Sequence, residues 1–113
     1  MIPKNLVNLK EMKMMMNKVN VAFQVLPEAD GEISYRVVDE AIRVITESGL
    51  TFRVCPFETV VECTLTEATD LVHKIHKACE KAGTRRMLTY LKIQADFTKD
   101  VEISDKMEKY DNF

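Results

Sequence analysis

Few side chains in this sequence have the types and spacing that chemistry demands. His73 and His76 stand three apart, which on a helix turns two imidazoles to one side and could chelate a metal. No third ligand or acidic partner accompanies them, so they read as solvated helix surface and no metal site is expected. Cys55, Cys63 and Cys79 are an odd set of thiols without C-x-x-C spacing, which excludes a disulfide framework and a zinc ribbon. Cys63 and Cys79 fall on apolar faces and Cys55 precedes Pro56 at a strand end, so all three are expected to be inert. A Gly-rich phosphate loop, a G-x-S-x-G elbow and paired helical carboxylates are all missing, and no catalytic residue is assigned. What remains is a set of polar groups at strand spacing, Gln24, Glu62, Tyr90, Lys92 and Gln94, interleaved with apolar residues. Amides that both donate and accept, with a carboxylate, an ammonium and a phenol, suit recognition better than bond making.

The elements that must position these groups follow from periodicity. Val19, Val21, Phe23 and Val25 alternate with Asn20, Ala22, Gln24 and Leu26 and end at Pro27, which predicts a strand. After a loop from Glu28 to Ile33, Ser34 reads as the N-cap of a helix with Val37, Val38, Ala41, Ile42 and Ile45 on its apolar face and Gly49 at its C-terminal end. Leu50, Phe52 and Val54, then a turn at Pro56, then residues 59–63 form a β-hairpin. Thr64 and Glu67 make a capping box for a second helix carrying Ala68, Leu71, Val72, Ile75 and Ala82 on one side. Residues 88–97 read as the longest strand, and a polar tail follows with at most one helical turn from Ser104. Strand, helix, strand, strand, helix, strand, with one apolar stripe per helix, predicts an α+β, ferredoxin-like βαββαβ sandwich: a four-stranded antiparallel sheet with both helices on one face.

The face left open by the helices would collect Asn20, Ala22, Gln24, Leu26, Thr51, Arg53, Val60, Glu62, Leu88, Tyr90, Lys92 and Gln94. That mixture is the composition of an interface or a binding floor. An ordinary wet sheet face, with Glu62 paired to Lys92 or Arg53, accounts for it equally well.

Composition sets the limits. The 113 residues make one domain, and 46% apolar and 30% charged content with 3 Gly and 3 Pro excludes a disordered or fibrous chain. A net charge of −2, and Tyr90 as the one aromatic at a stacking position, argue against nucleic acid. No apolar run approaches the roughly 20 residues that cross a bilayer, so no membrane partner is expected. Nothing at the N-terminus reads as a secretory signal, and with reduced thiols this predicts a cytoplasmic protein. Residues 1–17 read as an N-terminal extension to a domain over 18–113. They are either upstream of a start at Met14, Met15 or Met16, or a short amphipathic helix carrying Leu6, Leu9, Met12 and Met16.

The segments Val19-Asn-Val-Ala-Phe-Gln-Val-Leu-Pro27, Glu47-Ser-Gly-Leu-Thr-Phe52, Pro56-Phe-Glu-Thr-Val-Val-Glu62, Ala82-Gly-Thr-Arg-Arg86 and Leu91-Lys-Ile93 resemble, in order and spacing, the thiamine-binding protein family (UPF0045, the YkoF-like group). The resemblance implies a ferredoxin-like domain that joins sheets into a dimer and pairs sheets into a homotetramer. It also implies a non-catalytic protein that binds thiamine or its hydroxymethylpyrimidine half, with no other cofactor. Phe57-Glu58 and Gln94-Ala95-Asp96 depart from residues many members carry beside the pocket. On this resemblance Gln24 or Gln94 would meet the aminopyrimidine edge, Glu62 or Glu58 would favour the thiazolium cation, and Tyr90 or Phe57 would offer a π face. Thr59 and Ser34 would line the pocket mouth, and Lys92 completes the candidate set. Two other readings stay open: a small ferredoxin-like enzyme of cofactor-independent oxygenase or isomerase type, and a module serving assembly alone.

Overall fold

The computed structural model describes residues 16–111, so the expectation for the N-terminal segment falls almost wholly outside the described residues. The order is β1 (Val19–Pro27), α1 (Gly31–Glu47), β2 (Thr51–Val54), β3 (Thr59–Cys63), α2 (Leu65–Lys81), β4 (Met87–Gln94) and α3 (Ile103–Asp111). The strands form one antiparallel sheet in the order β2-β3-β1-β4, the arrangement the βαββαβ reading requires. Pairing of Val21 with Val61 and Ile93, and of Phe23 with Thr59 and Leu91, puts these side chains on one face. Of these, Val21, Phe23 and Val61 meet Val37, Ala41 and Ile45 of α1 and Ala68, Leu71, Ile75 and Cys79 of α2 in the core, whereas Leu91 and Ile93 on the edge strand stay exposed.

Local chemistry explains most boundaries. The capping box at α2 is complete: Glu67 N–H donates to Thr64 Oγ1 at 3.1 Å and Thr64 N–H donates to Glu67 Oε1 at 2.9 Å. At the end of α1, Gly49 sits at φ +80°, a conformation that suits a residue without Cβ and closes the helix as expected. The start of α1 differs from expectation. Asp30, extended at φ −80° and ψ 150°, occupies the N-cap and Ser34 lies in the first turn, its N–H donating to Asp30 O at 3.1 Å. Starting early lets Ile33 pack against the core.

β4 is also shorter than expected. It ends at Gln94, and at 8 residues is shorter than the 9 of β1. Asp96 Oδ1 accepts from both the N–H and the hydroxyl of Thr98, at 2.8 and 2.6 Å, an Asx turn that breaks the strand before Phe97.

The largest departure is the tail, which forms the nine-residue helix α3 rather than a single turn. It lies on the face opposite α1 and α2: Ile103 N–H donates to Glu62 Oε1 at 2.8 Å, Lys106 Nζ to Gln94 Oε1 at 2.5 Å, and Arg53 bonds Asp111. The chain leading into it is fixed by Val101 N–H donating to Lys18 O at 2.9 Å. Val101 and Ile103 thereby bury the Asn20 end of the sheet, where Asn20 is 4% exposed.

Candidate functional site

β3 stops pairing with β1 at Phe23, opposite Thr59, whereas β4 follows β1 to Pro27. From Gln24 onward β1 therefore has no strand on one side, and alternate residues turn their N–H and C=O toward the gap. The turn joining β2 to β3, closed by Cys55 N–H donating to Glu58 O at 2.9 Å, leans over that gap from one side, and α1 flanks it from the other. Between them is a cavity of about 320 Å³. Its apolar walls come from Phe23 and Val25 of β1, Val38 and Ile42 of α1, and Pro56 and Phe57 of the turn. Its polar groups are Gln24, Cys55, Glu58 and Thr59. Phe57 is 82% exposed, a ring standing at the rim.

Four of the nine candidate residues, Gln24, Phe57, Glu58 and Thr59, thus meet in one apolar cavity. The others lie elsewhere, and Glu58 borders both hollows. Glu58 reaches round the sheet to pair with Lys92 at 2.8 Å, and these two with Gln94 border a second cleft on the opposite face. Glu62 is held by Ile103 N–H and lies 3.9 Å from Lys18. The expected pairing of Glu62 with Lys92 or Arg53 is not formed, because α3 supplies Glu62 with a backbone donor and Arg53 with Asp111. Tyr90 is half exposed on the open face, opposite Gln24 in register. Ser34 is a residue of the α1 first turn, away from both hollows.

Reading α1 as a single buried stripe hid the contributions of Val38 and Ile42. Val37, Ala41 and Ile45 enter the core, while Val38 and Ile42, the neighbouring row at i and i+4, stay half-buried and face the cavity. An apolar stripe two rows wide is the signal that could have shown it. Lys106 was missed with its helix.

The remaining reactive groups are accounted for structurally. Burial pushes the Cys63 thiol up to about 11, and burial likewise raises Cys79, whose Sγ lies 3.6 Å from Val37 O. All three cysteines are free. Hydrogen bonds from Arg53 hold the Asp111 carboxyl below its ordinary range. His76 Nε2 lies 2.8 Å from Thr89 Oγ1, tying α2 to β4. Among the described residues no three His, Cys, Asp or Glu side chains gather as metal ligands, and no helix is long and apolar enough to cross a membrane.

Comparison with known proteins bears directly on this cavity. The family model described as "Thiamine-binding protein" matches residues 21–111, which include every cavity residue. The chain belongs to the thiamine-binding protein family. A UPF0045 protein of Clostridium perfringens is 33% identical over 96 residues, 84% of this chain and 99% of that one. Among solved structures, a Bacillus cereus domain of unknown function, DUF77, superposes with a TM-score of 0.78 at 35% identity, covering 86% of this chain and 93% of its own. A Thermotoga maritima protein, provisionally described as a thiamine biosynthesis/salvage protein, superposes with a TM-score of 0.76 at 29% identity, covering 82% and 98%. Membership and fold together make this a small ligand-binding protein.

Proposed function

We propose that the protein binds thiamine, or its hydroxymethylpyrimidine half, without transforming it, in the cavity between α1, β1 and the β2–β3 turn. The carrying observation is that cavity itself: about 320 Å³ of mainly apolar wall with Gln24, Glu58 and Thr59 at its edge, in a chain of the thiamine-binding family. Ligand pockets run to roughly 300–1,000 Å³, so this one suits a small heterocycle. The half-buried Val38 and Ile42 would sandwich a flat ring against Phe23 and Val25. The Gln24 amide and the unpaired β1 backbone supply donors and acceptors for an aminopyrimidine edge. Glu58, whose carboxylate pairs with Lys92 at 2.8 Å, would exchange that partner for the thiazolium cation, and the exposed Phe57 ring would close over it, a cation–π contact of about 0.5–2 kcal/mol.

Self-association is part of this reading. β4 is an edge strand whose Leu88, Tyr90, Leu91 and Ile93 are all at least 40% exposed, on both faces of the sheet. An uncapped apolar edge of that length favours pairing with a second copy and assembly into a homo-oligomer. Sedimentation velocity reads it, and a monomer at micromolar concentration would contradict it.

The test of binding is calorimetric titration with thiamine and with hydroxymethylpyrimidine. Saturable heat with either supports the reading, and no heat and no thermal shift at millimolar ligand overturn it. Glu58→Gln should weaken thiamine about tenfold while leaving hydroxymethylpyrimidine, which lacks the cation, within about twofold.

A further inference from the structure

The cleft on the opposite face, under α3, shares only Glu58 with that reading. It encloses about 280 Å³ over a floor of Ala22 and Val60, with Glu58, Lys92, Gln94 and Lys106 around its rim. Lys106 is held in an uncommon way. Its ammonium donates to two neutral acceptors, Gln94 Oε1 at 2.5 Å and the Asn20 side-chain oxygen at 2.9 Å. That Asn20 amide is itself locked, since in the orientation that satisfies both its ends its nitrogen donates to Val101 O at 3.0 Å. No carboxylate of the described residues lies within ion-pair distance of Lys106, so its charge is fixed in place and uncompensated. On the other side of the cleft Lys92 is 73% exposed and paired to Glu58 at 2.8 Å. The rim thus holds two ammonium groups and one carboxylate, which Lys92 alone engages, and the cleft carries an excess positive charge.

We propose that this cleft is a second ligand site, one that takes a phosphate group, either inorganic phosphate or the head of a small phosphate ester. Lys106 is the fixed cation. Lys92, on an exposed flexible stem, swings from Glu58 to complete the pair. Compact ammonium charges with rotatable donors suit a tetrahedral dianion better than a planar carboxylate, which the fork of an arginine fits best. The Gln94 amide nitrogen, left free when its oxygen accepts from Lys106, adds a neutral donor at the rim.

The experiment is a titration of the full chain with inorganic phosphate, and separately with glycerol phosphate, followed by backbone amide shifts at constant ionic strength and without thiamine. The proposal predicts saturable shifts centred on Ala22, Val60, Lys92, Gln94 and Lys106, with millimolar or tighter affinity. Whichever compound binds more tightly identifies the source of the phosphate. Lys106→Gln and Lys92→Gln should each weaken binding at least fivefold with the circular dichroism spectrum unchanged. Either variant suffices if the other fails to fold. Shifts that do not saturate by 20 mM, a response that chloride reproduces, or affinity unaltered in both variants would overturn it. Because thiamine is absent, failure here leaves the cavity reading standing, and the calorimetric titration fails or succeeds independently.

Discussion

Replacing Glu62 with alanine should release α3 from the sheet while leaving the rest of the fold intact. The Glu62 side chain is 10% exposed and its Oε1 accepts the N–H of Ile103, the first residue of the helix, at 2.8 Å. A hydrogen bond to a charged acceptor contributes about 1.5–3 kcal/mol. Lys18, half exposed at 3.9 Å, adds at most about 1 kcal/mol. Among the remaining tethers, Arg53 with Asp111 and Lys106 with Gln94 are exposed contacts weakened by solvent screening. Glu62→Ala therefore costs α3 about 2–3 kcal/mol of attachment, raising its open population roughly 30- to 150-fold. Native-state hydrogen exchange measures this directly. Amides of Met107 to Asp111 should exchange faster by that factor, whereas β1 amides, which open only with global unfolding, should change far less. Glu62→Gln keeps an uncharged acceptor and should recover about half of the effect. Unchanged exchange in α3, or an equal loss of protection in α3 and β1, would refute the tether.

Three further outcomes follow from particular contacts. Val38→Phe puts a ring into the cavity from a half-buried position on α1, so urea unfolding should change little while thiamine binding falls at least tenfold. Thr64→Ala removes the hydroxyl that accepts Glu67 N–H and should cost about 1 kcal/mol, read as a lower urea midpoint at constant m. Cys63, with its thiol raised to about 11 in the fold, keeps its full contribution below the unfolded thiol value of 9.0 and loses it as pH climbs toward 11. The stability difference between wild type and Cys63→Ala should accordingly shrink by about 2 kcal/mol between pH 8 and 10.5.

The parts of this structure that were legible in the sequence are those governed by local periodicity and capping. Alternation in residues 19–26 and 59–63 told which side chains share a face, and the observed register pairs them so. The Thr64–Glu67 box and Gly49 marked helix ends because each is a short-range device. α3 was not legible because its sequence, Ile103 to Asp111, is mostly charged, and what holds it is a set of long-range contacts to Glu62, Gln94 and Arg53. That helix rearranged the candidate site. Glu62 and Gln94, which the open-face reading assigned to a ligand, have protein partners, while the cavity depends on β1 outrunning β3 by four residues, a property of register between distant segments. Gln24 was found from strand alternation, whereas Phe57, Glu58 and Thr59 came from the family resemblance of the turn segment.

The central claim is that the hollow between α1, β1 and the β2–β3 turn is where this member of the family takes its ligand. A crystal structure grown with saturating thiamine tests it most directly. The account predicts electron density for the pyrimidine between Ile42 and Val25, with the thiazolium beside Glu58 under a closed Phe57 ring. Thiamine seated instead on the open face against Tyr90 and Lys92, with the cavity empty, would contradict it.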